Sequence, residues 1–234
     1  TRPPSVASLF ERARVARAAI TSISYRLSAP WPQAEPATSG LPGARALLGT
    51  GEGERTWQVL WRHDGAMRAE LVNPADVAGV LTIVSPETTW VWSPLLQVAL
   101  RSTTSGPAPL WMDDILALAS GGLAEATLAR GGQRDVAFEV LVPLPDAVGG
   151  GSLLVWFDRT TGLPTRADRV DGAGRLLGTV VAGEVRLAAG ADDDDFAFTP
   201  PAGARVLALG SPAALPDLAA AASASLRVPD GRPF

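Results

Sequence analysis

The sequence predicts a mainly β (α+β) fold, and three observations carry that prediction. Short runs alternate apolar and polar residues at period 2, turn pairs such as Asp64-Gly65 and Asp171-Gly172 separate them, and one helical stretch divides them into two antiparallel meanders. The first meander spans residues 55–101 and carries Trp57, Trp61, Trp90 and Trp92; the second spans residues 134–209. A long sheet studded with aromatics, without an evident catalytic cluster, reads as a container and not as an enzyme.

Taken in order, Ser5 is a suitable N-cap for a helix over residues 6–18, in which Val6, Leu9, Phe10 and Ala13 recur at helical spacing. A strand over 19–28 follows, with Ile23, Tyr25 and Leu27 on one face. Residues 30–50 are rich in Pro, Gly, Ala and Ser and read as a long loop. Trp57, Val59, Trp61 and His63 then alternate with Thr56, Gln58, Leu60 and Arg62 up to the Asp64-Gly65 hairpin. Strands are expected at 66–72, 79–84, 89–93 and 96–101, joined by connections short enough to make neighbours antiparallel. Residues 102–109 form a loop, and 110–119 a helix whose Asp113 and Asp114 sit where carboxylates favour the helix dipole. Gly121-Gly122 ends that helix, and residues 123–129 read as a further short one. Strands at 135–142, 153–158, 163–171 and 176–187 complete the second meander, and 205–209 adds an edge strand. Residues 1–210 read as one domain; 211–234 read as a linker, a docked tail or the opening of a second domain.

Composition narrows the function. All 20 basic residues are Arg, and Asn73 is the only Asn, a bias typical of a GC-rich genome, so the Arg content carries no functional weight. A net charge of −4 argues against a nucleic-acid partner, which calls for a basic stripe along the phosphates. With no cysteine, the chain has no disulfide, thiolate metal site or Cys nucleophile. No apolar run reaches the roughly 18 residues of a membrane-spanning helix, and no signal-peptide pattern stands at the start.

Strand alternation nominates Trp57, Val59, Trp61, Met67, Leu71, Leu81, Ile83, Trp90, Trp92, Leu96 and Val98 as the lining of an apolar cavity, with Trp111, Met112, Ile115 and Leu116 on a covering helix. The alternative for each is a place in a dry core. Other candidates point away from chemistry. His63, the single His, stands at a hairpin without a Ser or second carboxylate at a telling spacing. Asp192–Asp195 lacks the interleaved ligands of a calcium loop and reads as a solvated turn. Gly149-Gly150-Gly151 lacks the Lys and strand-to-helix context of a phosphate loop. No cofactor, metal or catalytic residue is expected.

Several segments carry a family resemblance. Gly65-Ala-Met-Arg68-Ala-Glu70-Leu, Thr82-Ile-Val-Ser85 and Thr89-Trp-Val-Trp92-Ser-Pro94 resemble the core of the LolA/LolB-like superfamily. Val155-Trp-Phe-Asp158-Arg-Thr-Thr-Gly162-Leu-Pro164, Asp171-Gly172 and Phe196-Ala-Phe198-Thr-Pro200-Pro201-Ala-Gly203 resemble its closing hairpins. The resemblance implies an incomplete antiparallel β-barrel curved around an apolar cavity and closed by helices. It also implies a non-catalytic, exported carrier of a lipid or of lipoprotein acyl chains, working in the periplasm or cell envelope with transient membrane contact. The alternative within the superfamily is an RseB-like regulatory sensor that binds lipoprotein signals and an envelope anti-sigma partner. Export implies a signal lying outside residues 1–234. In the carriers an Arg in the strand after the first hairpin helps hold the lid, and Arg68 resembles it. The other role for Arg68 is a solvent-facing pair with Glu70. The long loop at 30–50 and the segment from Ser211 depart from a minimal carrier.

Overall fold

A computed structural model describes residues 4–30, 54–103, 106–130, 136–146 and 150–208. Of the loop expected at 30–50, Pro30 is the last residue of a strand, and the rest lies outside the described residues, as does the expected tail at 211–234. Among those described, twelve strands form one curved, unclosed sheet, and two α-helices cover one of its faces.

Helix α1 (Val6–Ala18) starts where the Ser5 side chain accepts a hydrogen bond from the Ser8 amide at 3.2 Å. Its buried stripe is Leu9, Phe10 and Ala13, and the Phe10 ring meets Phe157 edge-on at 4.9 Å. Ala19 caps the helix, which moves the start of β1 (Ser22–Pro30) three residues past its expected position. The first meander continues through β2 (Glu54–Arg62), β3 (Met67–Asn73), β4 (Leu81–Val84), β5 (Thr88–Ser93) and β6 (Val98–Thr103). Helix α2 (Trp111–Ser120) follows, with the Asp113 carboxylate accepting the Leu110 amide at 2.8 Å. The second meander is β7 (Thr127–Arg130), β8 (Ala137–Pro143), β9 (Ser152–Asp158), β10 (Pro164–Val170) and β11 (Leu176–Leu187), and β12 (Arg205–Ala208) is the last strand.

The spatial order is β12-β6-β5-β4-β3-β2-β1-β11-β10-β9-β8-β7. Strand β1 is therefore the seam: it pairs with β2 on one side and β11 on the other, joining the two meanders. Every pairing is antiparallel except β12 with β6, which is parallel and takes the outer edge.

Two expectations are corrected. Residues 123–129 do not form a helix; after a turn, β7 pairs antiparallel with β8, and sheet hydrogen bonds override the helix propensity of Leu, Ala and Glu. Gly122 makes the close approach possible, because a Cβ there would lie 1.8 Å from the Pro143 carbonyl oxygen. The strand expected at 96–101 begins at Val98, since residues 94–97 turn and Gln97 takes a positive φ of 53°. The Gln97 carbonyl accepts the Arg205 amide at 2.9 Å, fixing the register of β12.

The sheet has an apolar cluster on each face. The larger packs both helices against strands of both meanders, with Trp57, Phe10, Met67, Leu71 and Phe157 wholly enclosed. The smaller joins Leu81, Ile83 and Trp92 to Phe196 on the other side, with Trp90 and Phe198 packed against it. The segment after β11, including a short 3-10 turn at Asp193–Phe196, crosses that second face. It is tied down where Arg62 binds Asp193 at 2.7 Å and Asp64 at 2.8 Å, with its guanidinium 5.0 Å from the Phe196 ring centroid.

Candidate functional site

A cleft of about 510 Å3 lies between α2 and the second half of the sheet. Tyr25 and Leu27 of β1, Leu153 of β9, Ala167 and Arg169 of β10, and Leu177, Gly178, Thr179 and Val180 of β11 form its strand wall. Pro109, Leu110, Trp111, Asp114, Ile115 and Leu118 form the helix wall. The register explains the strand wall: Arg169 stands opposite Leu153 on β9 and Gly178 on β11, and Ala167 stands opposite Val180 on β11. Ala167 and Gly178 contribute little side-chain volume, so α2 rests over a hollow instead of on packed side chains. The volume falls within the ~300–1,000 Å3 usual for small-molecule sites.

Two aromatics frame the hollow. Trp111 donates from Nε1 to the Pro164 carbonyl at 3.0 Å, pinning the start of α2 to β10. Its ring lies 4.3 Å from that of Tyr25, which is 1% exposed. Burial, and secondarily the Asp113 charge, push the Tyr25 phenol well above its ordinary pKa, so it stays neutral. The charged lining residues among those described are Arg169 and Asp114. The Asp114 side chain is exposed at the mouth, yet partial loss of surrounding water, followed by the Asp113 charge, raises its pKa above the ordinary carboxylate value.

The N-terminus of α2 is held by a second device. Arg17, in the last turn of α1, grips Asp113 with two hydrogen bonds, Nε to Oδ1 at 2.7 Å and Nη2 to Oδ2 at 3.0 Å. Its guanidinium also lies 4.6 Å from the Trp61 ring centroid, and Trp61 Nε1 donates to the Ala108 carbonyl at 2.8 Å. Gly65 permits this approach of the 106–108 segment: its φ is +84°, its carbonyl accepts the Ala108 amide at 3.0 Å, and a Cβ would stand 2.2 Å from Pro107 Cβ.

The nominated residues divide into three groups. Trp111 and Ile115 line the cleft. Trp57, Val59, Trp61, Met67, Leu71, Val98, Met112 and Leu116 are buried in the main core beside it, with Leu96 partly buried against them. Leu81, Ile83, Trp90 and Trp92 belong to the cluster on the opposite face and cannot line a cavity under α2. Arg68 is placed on that opposite face too. It pairs across the strands with Leu60 and Ile83, so it does not reach the helix, and the contact expected of it is made by Arg17. The strand wall lies outside the nominated residues, although Tyr25 and Leu27 alternate visibly with Ser24 and Arg26 in the sequence. Its remaining members lie on the second meander and carry no aromatic signal, and Ala167, Gly178 and Thr179 among them are small.

The remaining candidates sit in turns. His63 is exposed, and its amide donates to the Thr21 carbonyl at 2.9 Å. Asp192 and Asp195 close a local turn, and Asp193 binds Arg62. Among the described residues no three His, Cys, Asp or Glu side chains stand together to hold a metal, and no helix is long and apolar enough to cross a membrane. Of the three glycines, Gly150 and Gly151 take positive φ, while Gly149 lies outside the described residues.

No family model and no curated protein matches the chain. Solved structures do. An uncharacterised conserved protein from Thermus thermophilus is similar at 12% identity with a TM-score of 0.52, over 86% of this chain and 98% of that one. The MucA/MucB complex of Pseudomonas aeruginosa is similar at 17% identity and a TM-score of 0.49, over 83% of this chain and 61% of the matched chain. The LolA superfamily protein NE2245 from Nitrosomonas europaea is similar at 14% identity and a TM-score of 0.34, over 83% and 98%. At these identities it is the fold, shared with the Thermus protein over nearly that protein's whole length, that the comparison shows.

Proposed function

We propose that the chain is a non-catalytic binding protein that takes a lipid, or the acyl chain of a lipoprotein, into the cleft beneath α2. The observation that carries this reading is the cleft itself: a hollow of about 510 Å3 walled by Leu27, Leu110, Trp111, Ile115, Leu118, Leu153, Leu177 and Val180. An acyl chain gains about 0.8 kcal/mol for each methylene it buries. A wall of this kind therefore binds such a chain without a polar recognition motif, which fits the absence of a motif in the sequence. A water-insoluble cargo also suits a carrier in the cell envelope.

The reading is tested by titrating an environment-sensitive fatty-acid probe. Saturable binding near 1:1 is expected, accompanied by a change in tryptophan emission because Trp111 lies in the wall. Ala167→Phe, which fills the cleft, is expected to remove binding, while Trp90→Ala on the opposite face leaves it in place. No saturable binding across several chain lengths, with the protein folded, contradicts the proposal.

A further inference from the structure

We infer that the cleft has room for one acyl chain and no second, so that the protein selects single-chain amphiphiles over two-chain lipids; this rests on the lipid-binding reading above. The volume sets the scale. A dry apolar cavity of about 150 Å3 holds one benzene ring, roughly 25 Å3 per carbon. At that density a hollow of about 510 Å3 takes about 20 carbons. A single palmitoyl or stearoyl chain fills it, and a lipid with two such chains brings nearly twice the carbon it can hold.

The surroundings resist enlargement. Lifting α2 to admit a second chain would break the Trp111 bond to the Pro164 carbonyl at 3.0 Å and the paired hydrogen bonds from Arg17 to Asp113 at 2.7 and 3.0 Å. Burial also gives the bound chain a direction. Tyr25 and Leu110 are each 1% exposed, whereas Asp114 of α2 and Leu177 of β11 face solvent, Leu177 at 42%. The methyl end therefore lies against Tyr25 and Leu110, and the head group stays in water at the mouth. Each methylene weights the balance between water and an apolar site about fourfold. A two-chain lipid, with one chain left outside, accordingly stays in its bilayer, while a one-chain lipid can leave it.

The test has two arms. In the first, saturated fatty acids from octanoic to docosanoic displace a fluorescent fatty acid; affinity is expected to rise about fourfold per methylene and to level off near palmitic or stearic acid. In the second, the protein is mixed with phosphatidylcholine vesicles holding traces of labelled palmitoyl-lysophosphatidylcholine or labelled dipalmitoylphosphatidylcholine, which share one head group. The one-chain lipid is expected to be recovered on the protein near 1:1, and the two-chain lipid to remain with the vesicles. Val180→Phe adds carbon to the strand wall and should move the levelling-off about four methylenes shorter, while Leu118→Ala removes it from the helix wall and should move it about three longer. Affinity that climbs without a break to docosanoic acid, or recovery of the two-chain lipid as full as that of the one-chain lipid, overturns the inference and leaves the lipid reading standing; neither result needs a variant to fold. A break at the same length in both folded variants overturns it too. Binding of none of these lipids overturns the lipid reading and this inference with it.

Discussion

Replacing Asp113 with Ala removes three hydrogen bonds at one stroke: the pair to Arg17 at 2.7 and 3.0 Å, and the cap on the Leu110 amide at 2.8 Å. A helix cap is worth about 0.5–2 kcal/mol. A bidentate charged pair adds roughly 1.5–3 kcal/mol when well enclosed, but here the two side chains are 26% and 32% exposed, and solvent screening brings the pair down to about 1–2 kcal/mol. Asp113→Ala should therefore lose about 2–3 kcal/mol. Arg17→Met keeps the cap and some packing over Trp61, so it should lose about 1–2 kcal/mol. The double variant should lose less than the sum, with a coupling near 1 kcal/mol. Urea unfolding of the four proteins measures all three quantities. Additive losses, or a loss under about 0.5 kcal/mol for Asp113→Ala, would refute the view that this contact fastens α2 to α1.

Three further outcomes are expected. Asp114 has a raised pKa in the folded protein, so the unfolded chain loses its proton first as pH rises; stability contributed by this group falls through the window between the ordinary carboxylate value and the raised one. Thermal melts against pH should show wild type losing ground to Asp114→Asn across that window. Asp64 shows the opposite sign, because the Arg62 hydrogen bonds lower its pKa: its stabilisation is present above the ordinary carboxylate range and is lost as pH falls through the folded value. Wild type and Asp64→Asn should accordingly converge in stability in acid and separate at neutral pH, as read by chemical denaturation. Gly65→Ala combines a φ of +84° with a collision at Pro107 and should cost at least about 2 kcal/mol in the same assay.

The order of the meanders was legible because period-2 alternation and turn residues are local signals, and each hairpin brings neighbours in sequence together. The face each strand presents was less so. Leu81 pairs with Trp92, and Thr82 with Val91, and all four are buried, so β4 and β5 are apolar on both sides and alternation alone cannot say which side meets the helices. The second cluster exists because Phe196 and Phe198 return from far along the chain to cover it, a contact with no local signature. The same holds for the cleft. Tyr25 and Arg169 are brought to one wall only because β1 pairs with β11 across the whole sheet. Arg17 was hidden for a simpler reason: in a chain whose 20 basic residues are all Arg, nothing marks one at the end of a helix as the partner of Asp113.

Where the ligand sits can be measured directly with a diazirine-bearing fatty acid, crosslinked in place and mapped by mass spectrometry. Labels on the strand wall around Leu153, Ala167 and Leu177 and on Leu118 of α2, competed away by unlabelled fatty acid, are the predicted result. Competable labels concentrated instead around Trp90 and Phe198, on the far face of the sheet, would contradict the assignment of the site to the cleft beneath α2.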